Sequence, residues 1–480
     1  MVFSSLIFLL YFMPVSLIGY FLFGFSVKLQ NIWLFLVSIA FYAWGEPSFV
    51  IIMLVSIFAN WIFGLLTESA LNKSKQKAKI IVFLDVIFNL SILFVFKYLN
   101  FFVDNVNTVA GKELLQRPNL ALPIGISFFT FQALSYVVDV YRGDAKVQKS
   151  LLNLGLYIAF FPQLVAGPIV RYNTIEQNIY HREFDLNNVI NGTSRFAIGV
   201  IKKVLLANNF AIVADTIFDL MKIGTKYDTT MIMAWTGVLA YYFQLFFDFS
   251  SYSDMAIGLG RIFGFEFEEN FNYPYISKSI GELWRRWHIS LGTWFKEYVY
   301  FPLGGSRVEN QDLMVKNTII VWLLTGLWHG ASWTFILWGL YQFLFIILER
   351  LINYEKMNIP GWIKILCTQF IFLMSLVMFR CDDLYLLKEC FKDMFMANGN
   401  SFCNGTSLWV IKEYWMFYVC GFLVATPIVS EAWSKLLSNK TKVLSFLGNL
   451  FYCACMCAGM TVAVVSLVRG GYNPFIYFNF

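Results

Sequence analysis

Only three histidines occur in the 480 residues, so any imidazole chemistry is confined to His181, His288 and His329. His181 stands in the polar stretch Tyr180-His181-Arg182-Glu183 and reads as a solvated loop residue. His329 differs: Leu327-Trp328-His329-Gly330 lies inside an apolar run from Thr318 to Leu340. An ionisable side chain in a membrane segment is costly and marks an internal, functional cavity. Burial favours the neutral imidazole, which can accept a proton from an attacking hydroxyl, and Gly330 would admit a substrate close to the backbone. A second reading stands beside it: a neutral histidine bonded to an adjacent helix, packing a bundle that contains Trp322, Trp328, Trp333 and Trp338.

His288 ends the run Glu282-Leu283-Trp284-Arg285-Arg286-Trp287-His288, where Arg285, Arg286 and Trp287 crowd one imidazole. Arginines in such a block hold phosphates or a carboxylate; the same composition also fits an amphipathic helix anchored to anionic headgroups. A third polar cluster, Asp248, Ser250, Ser251, Ser253 and Asp254, follows the apolar run Trp235 to Phe247. Its carboxylates would orient a histidine or line a cavity, or else cap an interfacial helix. There is no phosphate loop, no Gly-x-Ser-x-Gly elbow and no zinc-spaced His/Cys set, so neither a metal nor a bound cofactor is expected.

The elements that hold these residues are membrane helices. The chain is 58% hydrophobic, 19% aromatic and 14% charged, a balance that leaves a water-soluble globule too much apolar surface to hide. Val2 to Phe25, Phe49 to Leu66, Ile80 to Phe96 and Leu444 to Val468 approach the roughly 20 apolar residues that cross a hydrocarbon core. The first lacks a basic leader and a small-residue cleavage site, and so reads as a membrane helix rather than a signal peptide. Lys73, Lys75, Lys77 and Lys79 place their loop in the cytoplasm and, counting back, the N-terminus outside. The net charge of +6 is spread over short loops, which argues against a nucleic-acid partner. Cys453, Cys455 and Cys457 alternate in one helix and read as packing residues.

Around Leu122-Pro123-Ile124-Gly125 and Phe161-Pro162 to Gly167-Pro168, proline and glycine break the helical pattern. Irregular backbone at membrane depth is tolerated only when it is buried in protein or lines a water-filled cavity, so half-spanning or re-entrant elements are expected there. Apolar length gives ten or eleven crossings in all, by order of magnitude, and no internal repeat of the kind that builds many transporters is evident. The expected fold class is all-α: a single integral-membrane domain over residues 1–480, with N-terminal spans in 1–100, a motif-bearing core in 120–350 and further spans with an aromatic tail in 360–480.

Several ordered motifs together carry a family resemblance: Leu122-Pro123-Ile124-Gly125-Ile126-Ser127-Phe128-Phe129, Pro162-Gln163-Leu164-Val165-Ala166-Gly167-Pro168, Phe247-Asp248-Phe249-Ser250-Ser251-Tyr252-Ser253-Asp254, Trp284-Arg285-Arg286-Trp287-His288 and Leu327-Trp328-His329-Gly330. On these residues the chain resembles the membrane-bound O-acyltransferase family, in its bacterial branch of alginate and peptidoglycan O-acetylation. The resemblance implies about eleven transmembrane helices around a central tunnel. It makes His329 the catalytic residue and His288 a second functional histidine, with Trp328, Arg285, Arg286, Trp287, Asp248, Ser250 and Asp254 near the donor or the tunnel. It also implies acetyl-CoA as donor substrate, an exported polysaccharide as acceptor and a serine-hydrolase-type extracytoplasmic acetyltransferase as partner. The setting it implies is the bacterial cytoplasmic membrane, with lipid as surroundings.

Close relatives often carry glycine where this chain has Ser251, a change expected to stiffen a turn. The terminal Tyr472-Asn473-Pro474-Phe475-Ile476-Tyr477-Phe478-Asn479-Phe480 resembles an aromatic motif of these acetylases, in which a tyrosine carries the acyl group. Tyr477 is then the candidate relay, with an anchoring tail as the alternative. Two other functions compete: D-alanyl transfer to teichoic acid from a carrier protein, and a proton-coupled transporter.

Overall fold

The computed structural model describes residues 1–223, 229–306, 310–437 and 442–476. Among the described residues helices are the only extended regular structure, with one isolated antiparallel bridge between Phe271 and Trp287 in place of any strand. Eight helices are long and apolar enough to cross a membrane: Val27–Gly45, Val50–Leu71, Lys75–Ala110, Leu186–Ile223, Trp333–Leu351, Gly361–Arg380, Gly405–Ala425 and Ser445–Val468. The first apolar run forms the shorter helical stretch Phe8–Leu22. Ile126–Arg142, Met231–Ile262 and Gln311–His329 are helices too, but shorter or less apolar than those eight. The protein is a multi-pass, all-α membrane protein. Large apolar residues such as Ile51, Phe58 and Phe83 lie exposed on the spans, as side chains facing lipid do.

The described residues fall into two compact units, one of 1–196 with 253–268 and one of 197–252 with 269–480. In the first, Val50–Leu71 packs on Lys75–Leu93 and on Ile126–Arg142. A buried polar contact ties the first pair: Asn89 Nδ2 donates across the helices to Asn60 Oδ1 at 3.0 Å, and within its own helix to Asp85 Oδ1 at 3.0 Å, the former being the interhelical bonding that holds helices together in lipid.

The proline-rich break expected near Phe161 is here as well. Phe160 to Val170 is non-helical and fully buried. Several of its polar groups are met from inside the protein: the Phe161 amide donates to Ser38 Oγ at 3.1 Å, the Gln163 side-chain amide donates to Tyr157 O, and Tyr157 OH donates to Val170 O at 2.9 Å. Gly125, at φ +74°, turns the chain into Ile126–Arg142, and a Cβ there would stand 2.7 Å from Leu164 O; only glycine fits both demands.

Two sequence expectations are corrected in the second unit and its connections. Asp248, Ser250, Ser251, Ser253 and Asp254 do not cap an interfacial helix, because Met231–Ile262 runs through all of them as one 32-residue helix. Ser251 therefore stiffens no turn; its hydroxyl donates back to Asp248 O at 3.0 Å within the helix. The apolar run Thr318 to Leu340 is also not one segment. It is divided into Gln311–His329 and Trp333–Leu351, with Gly330 in extended backbone at φ −172° and Ser332 as the next N-cap.

Candidate functional site

His288 lies between two short helices, Ile280–Arg286 and Ile289–Phe295, at φ +47°. A left-handed non-glycine residue persists only where its surroundings over-determine it, and they do here. Asn272 N donates to Arg286 O at 2.9 Å and Ile289 N to Asn270 O at 3.0 Å, so residues 270–272 pair with the turn on both sides of His288. Asn270 Oδ1 accepts from Ser290 N at 3.1 Å and Ser290 Oγ at 2.9 Å and faces His288 Nδ1 at 3.3 Å. The Phe249 ring stands edge-on to the imidazole, 4.5 Å between centroids. His288 lies outside the eight spans, and burial pushes its imidazole down to about 3, so the ring is neutral near pH 7.

His329 is the last residue of Gln311–His329. That helix and Trp333–Leu351 touch backbone to backbone: a Cβ on Gly326 would sit 2.4 Å from Phe335 O, and one on Gly339 2.4 Å from Trp322 O. Small residues at a crossing permit this approach in membranes. The buried imidazole is ringed by Trp328, Trp338 and Phe379 at 4.8, 5.0 and 4.9 Å between centroids. The Trp328 indole also lies 6.0 Å from the His288 ring, so one indole abuts both imidazoles. Gly330 does not open the backbone to a substrate, as the sequence suggested; the Phe335 ring fills that space, 2.3 Å from where a Cβ would be.

Both histidines line a single cavity of about 830 Å³ within the second unit, in the size range of clefts that bury a small organic ligand. Arg285, Lys296, Arg350 and Lys356 are also in its wall. The two acidic wall residues are already engaged: Glu355 pairs with Arg285 at 3.1 Å, and Glu349 accepts from the Ile280 and Gly281 amides at 2.6 and 3.1 Å. The cavity thus brings two histidines among aromatic rings together with several basic side chains.

Of the other residues singled out from sequence, Arg285 and Trp287 line the cavity. Arg286 turns away to Glu282 at 2.9 Å and to Asn272 O at 3.1 Å. Ser250 is buried on Met231–Ile262, its hydroxyl without a hydrogen-bond partner among the described residues. Asp254 belongs to the first unit, where Arg195 binds it at 2.9 Å. Asp248 is buried against Lys203 at 2.5 Å. Tyr477 lies outside the described residues. His181 is exposed.

Sequence reasoning passed over Asn270 and Lys203. Asn270 had one available signal, its place in a polar block with no helical period. Lys203 had another, a lysine inside an otherwise apolar span.

Comparison with known proteins places these motifs. Residues 36–391 match the family model described as "MBOAT, membrane-bound O-acyltransferase family". The chain is 42% identical over 402 residues to "Probable alginate O-acetylase AlgI" of Azotobacter vinelandii, covering 82% of this chain and 78% of that protein. It is 34% identical over 438 residues to "Peptidoglycan O-acetyltransferase" of Helicobacter pylori, covering 84% and 81%. A "Teichoic acid D-alanyltransferase" of Bacillus subtilis is 33% identical over 233 residues, 47% of this chain and 58% of that protein.

Proposed function

Because the chain belongs to the membrane-bound O-acyltransferase family and is an O-acyltransferase, we propose that it takes acetyl from acetyl-CoA and passes it across the membrane for O-acetylation of an exported or cell-wall polysaccharide. The observation that carries this reading is the single cavity in which two buried histidines meet several basic side chains. A thioester donor needs both: cations for its phosphates, and a dry aromatic pocket for its acyl-thioester group. The relatives that act on alginate and on peptidoglycan support a polysaccharide acceptor.

His329 acts as general base in this reading, and Tyr477 as nucleophile. The phenol oxygen attacks the thioester carbonyl while the imidazole takes its proton; the C–S bond breaks, and the imidazolium returns the proton to the departing thiolate. The imidazole lies at the carbonyl end of its helix, where the macrodipole favours the positive charge that forms transiently. His288, held neutral and fixed by Asn270, orients the donor. The acetyl-tyrosine then serves a serine-hydrolase-type partner on the outer face, which transfers the group to a sugar hydroxyl. The protein sits in the bacterial cytoplasmic membrane with its N-terminus outside and the lysine-rich loop after Leu71 inside.

The test is acetyl-CoA turnover by purified protein, wild type beside His329→Ala, with mass spectrometry of the peptide containing Tyr477. Turnover that requires His329, with acetyl on Tyr477 and none after Tyr477→Phe, is the expected result. Acyl transfer only from a charged carrier protein would replace this reading with D-alanylation.

A further inference from the structure

Lys203 and Asp248 form an ion pair in which both side chains are only 2% exposed. Desolvating two charges is expensive, and well-packed apolar residues replace such pairs without loss of stability. A buried pair in a membrane protein therefore asks for a further role, and its remaining hydrogen bonds point to one. Lys203 Nζ faces Asp248 Oδ1 as an ion pair and donates hydrogen bonds to Asn208 Oδ1 at 2.8 Å and to the carbonyl of Pro474. Asp248 Oδ2 accepts the amide of Ile476 at 2.8 Å. The cation holds the carbonyl of one residue and the anion holds the amide two residues on.

The flanking contacts have the same target. Tyr472 OH donates to Asp215 Oδ2 at 2.8 Å, Asn208 Nδ2 donates to Asn473 Oδ1 at 3.2 Å, and the Phe475 ring stacks on Tyr252 at 5.0 Å. Phe475 and Ile476 are buried as a result. Asp248 is followed by Phe249, whose ring abuts His288, so the amide of Ile476 is tied one helix residue from the wall of the cavity.

We propose that the Lys203–Asp248 pair is a clamp on the backbone of residues 474–476 and that both are positioning residues, fixing the segment that immediately precedes Tyr477 in the sequence. The consequence for acyl transfer rests on the reading of Tyr477 as acyl carrier; the clamp itself does not. Polarity is the essence of the device: a donor must stand at 203 and an acceptor at 248. Restoring charge attraction with the signs exchanged restores the pair but not the grip.

The full-length protein in nanodiscs is examined by hydrogen-exchange mass spectrometry beside acetyl-CoA kinetics. In Lys203→Met/Asp248→Leu, which removes both charges, exchange in the peptide spanning residues 472–480 rises about tenfold or more, since hydrogen bonds to charged groups are being lost. Protection of Met231–Ile262 and Gln311–His329 stays as in wild type, KM for acetyl-CoA is unchanged and kcat falls. Lys203→Asp/Asp248→Lys keeps an ion pair yet shows the same loosened segment. Ile476→Pro, which deletes the held N–H and leaves both charges in place, loosens it again and covers the case in which the charge variants do not fold.

Wild-type protection of the segment in the uncharged double variant or in Ile476→Pro, or its recovery in the exchanged pair, overturns the clamp. A loosened segment with unimpaired acetyl transfer upholds the clamp and sinks the tyrosine relay instead.

Discussion

Replacing Gly326 by alanine tests whether the contact between Gln311–His329 and Trp333–Leu351 sets the position of His329. The new Cβ would lie 2.4 Å from Phe335 O, against about 3.4 Å for ordinary contact, and what it meets is backbone rather than a movable side chain. The helices must part by about 1 Å, an overpacking strain of about 1–3 kcal/mol. His329 is three residues further along the same helix, roughly 4.5 Å down the axis, so the displacement reaches it almost undiminished. Misplacement of a reacting group by about 1 Å costs on the order of a hundredfold in rate. The assay is His329-dependent acetyl-CoA turnover alongside thermal unfolding in detergent. Gly405→Ala is the control, because a Cβ there meets nothing within 4 Å. Wild-type turnover and stability in Gly326→Ala would refute the argument that this backbone contact positions the imidazole.

Asn270→Ala removes the oxygen that accepts from Ser290 and faces His288 Nδ1; kcat should fall by about tenfold or more with an increased KM, and Asn270→Asp, which keeps an oxygen there, should recover most of the loss. His288 also has a pH signature. Its folded value of about 3 lies below the ordinary 6.5, so the unfolded chain binds the proton first as pH falls. The stability contributed by its neutral form is complete above pH 6.5 and is lost progressively from there toward pH 3, and thermal scans of wild type against His288→Gln over that range should show the slope diminished in the variant. The pH profile of kcat/KM between 5 and 8 should carry no ionisation from His288; acid destabilisation identical in His288→Gln would contradict its neutral burial.

Much of the fold was legible because lipid imposes a simple rule. Apolar runs near 20 residues and a composition poor in charge were enough to read a helical multi-pass protein, and the proline and glycine around Phe161 were enough to read a buried irregular segment, since nothing else satisfies freed backbone in a bilayer. The subdivision of those runs was not legible. Thr318 to Leu340 reads as one span by hydropathy, which averages over Gly330 and cannot register a three-residue break; Asp248 to Asp254 reads as a terminus because polarity interrupts the run, although the helix continues, with Ser251 bonded back to Asp248 and Asp248 paired with Lys203.

The sequence by itself determined the solvent of the fold and the helical class, because each follows from composition or local run length. Tertiary structure decided which groups meet. Asn270 beside His288, Trp328 between two imidazoles, the backbone contact at Gly326 and Gly339, and the ion pair of Lys203 and Asp248 gripping Pro474 and Ile476 are all products of chain segments brought together by packing. Local periodicity reports how deeply a residue is buried and on which face; it carries no record of what lies opposite. For Lys203 that partner is a carbonyl 271 residues away, and burial converts what would be an unaffordable charge into the residue that holds it.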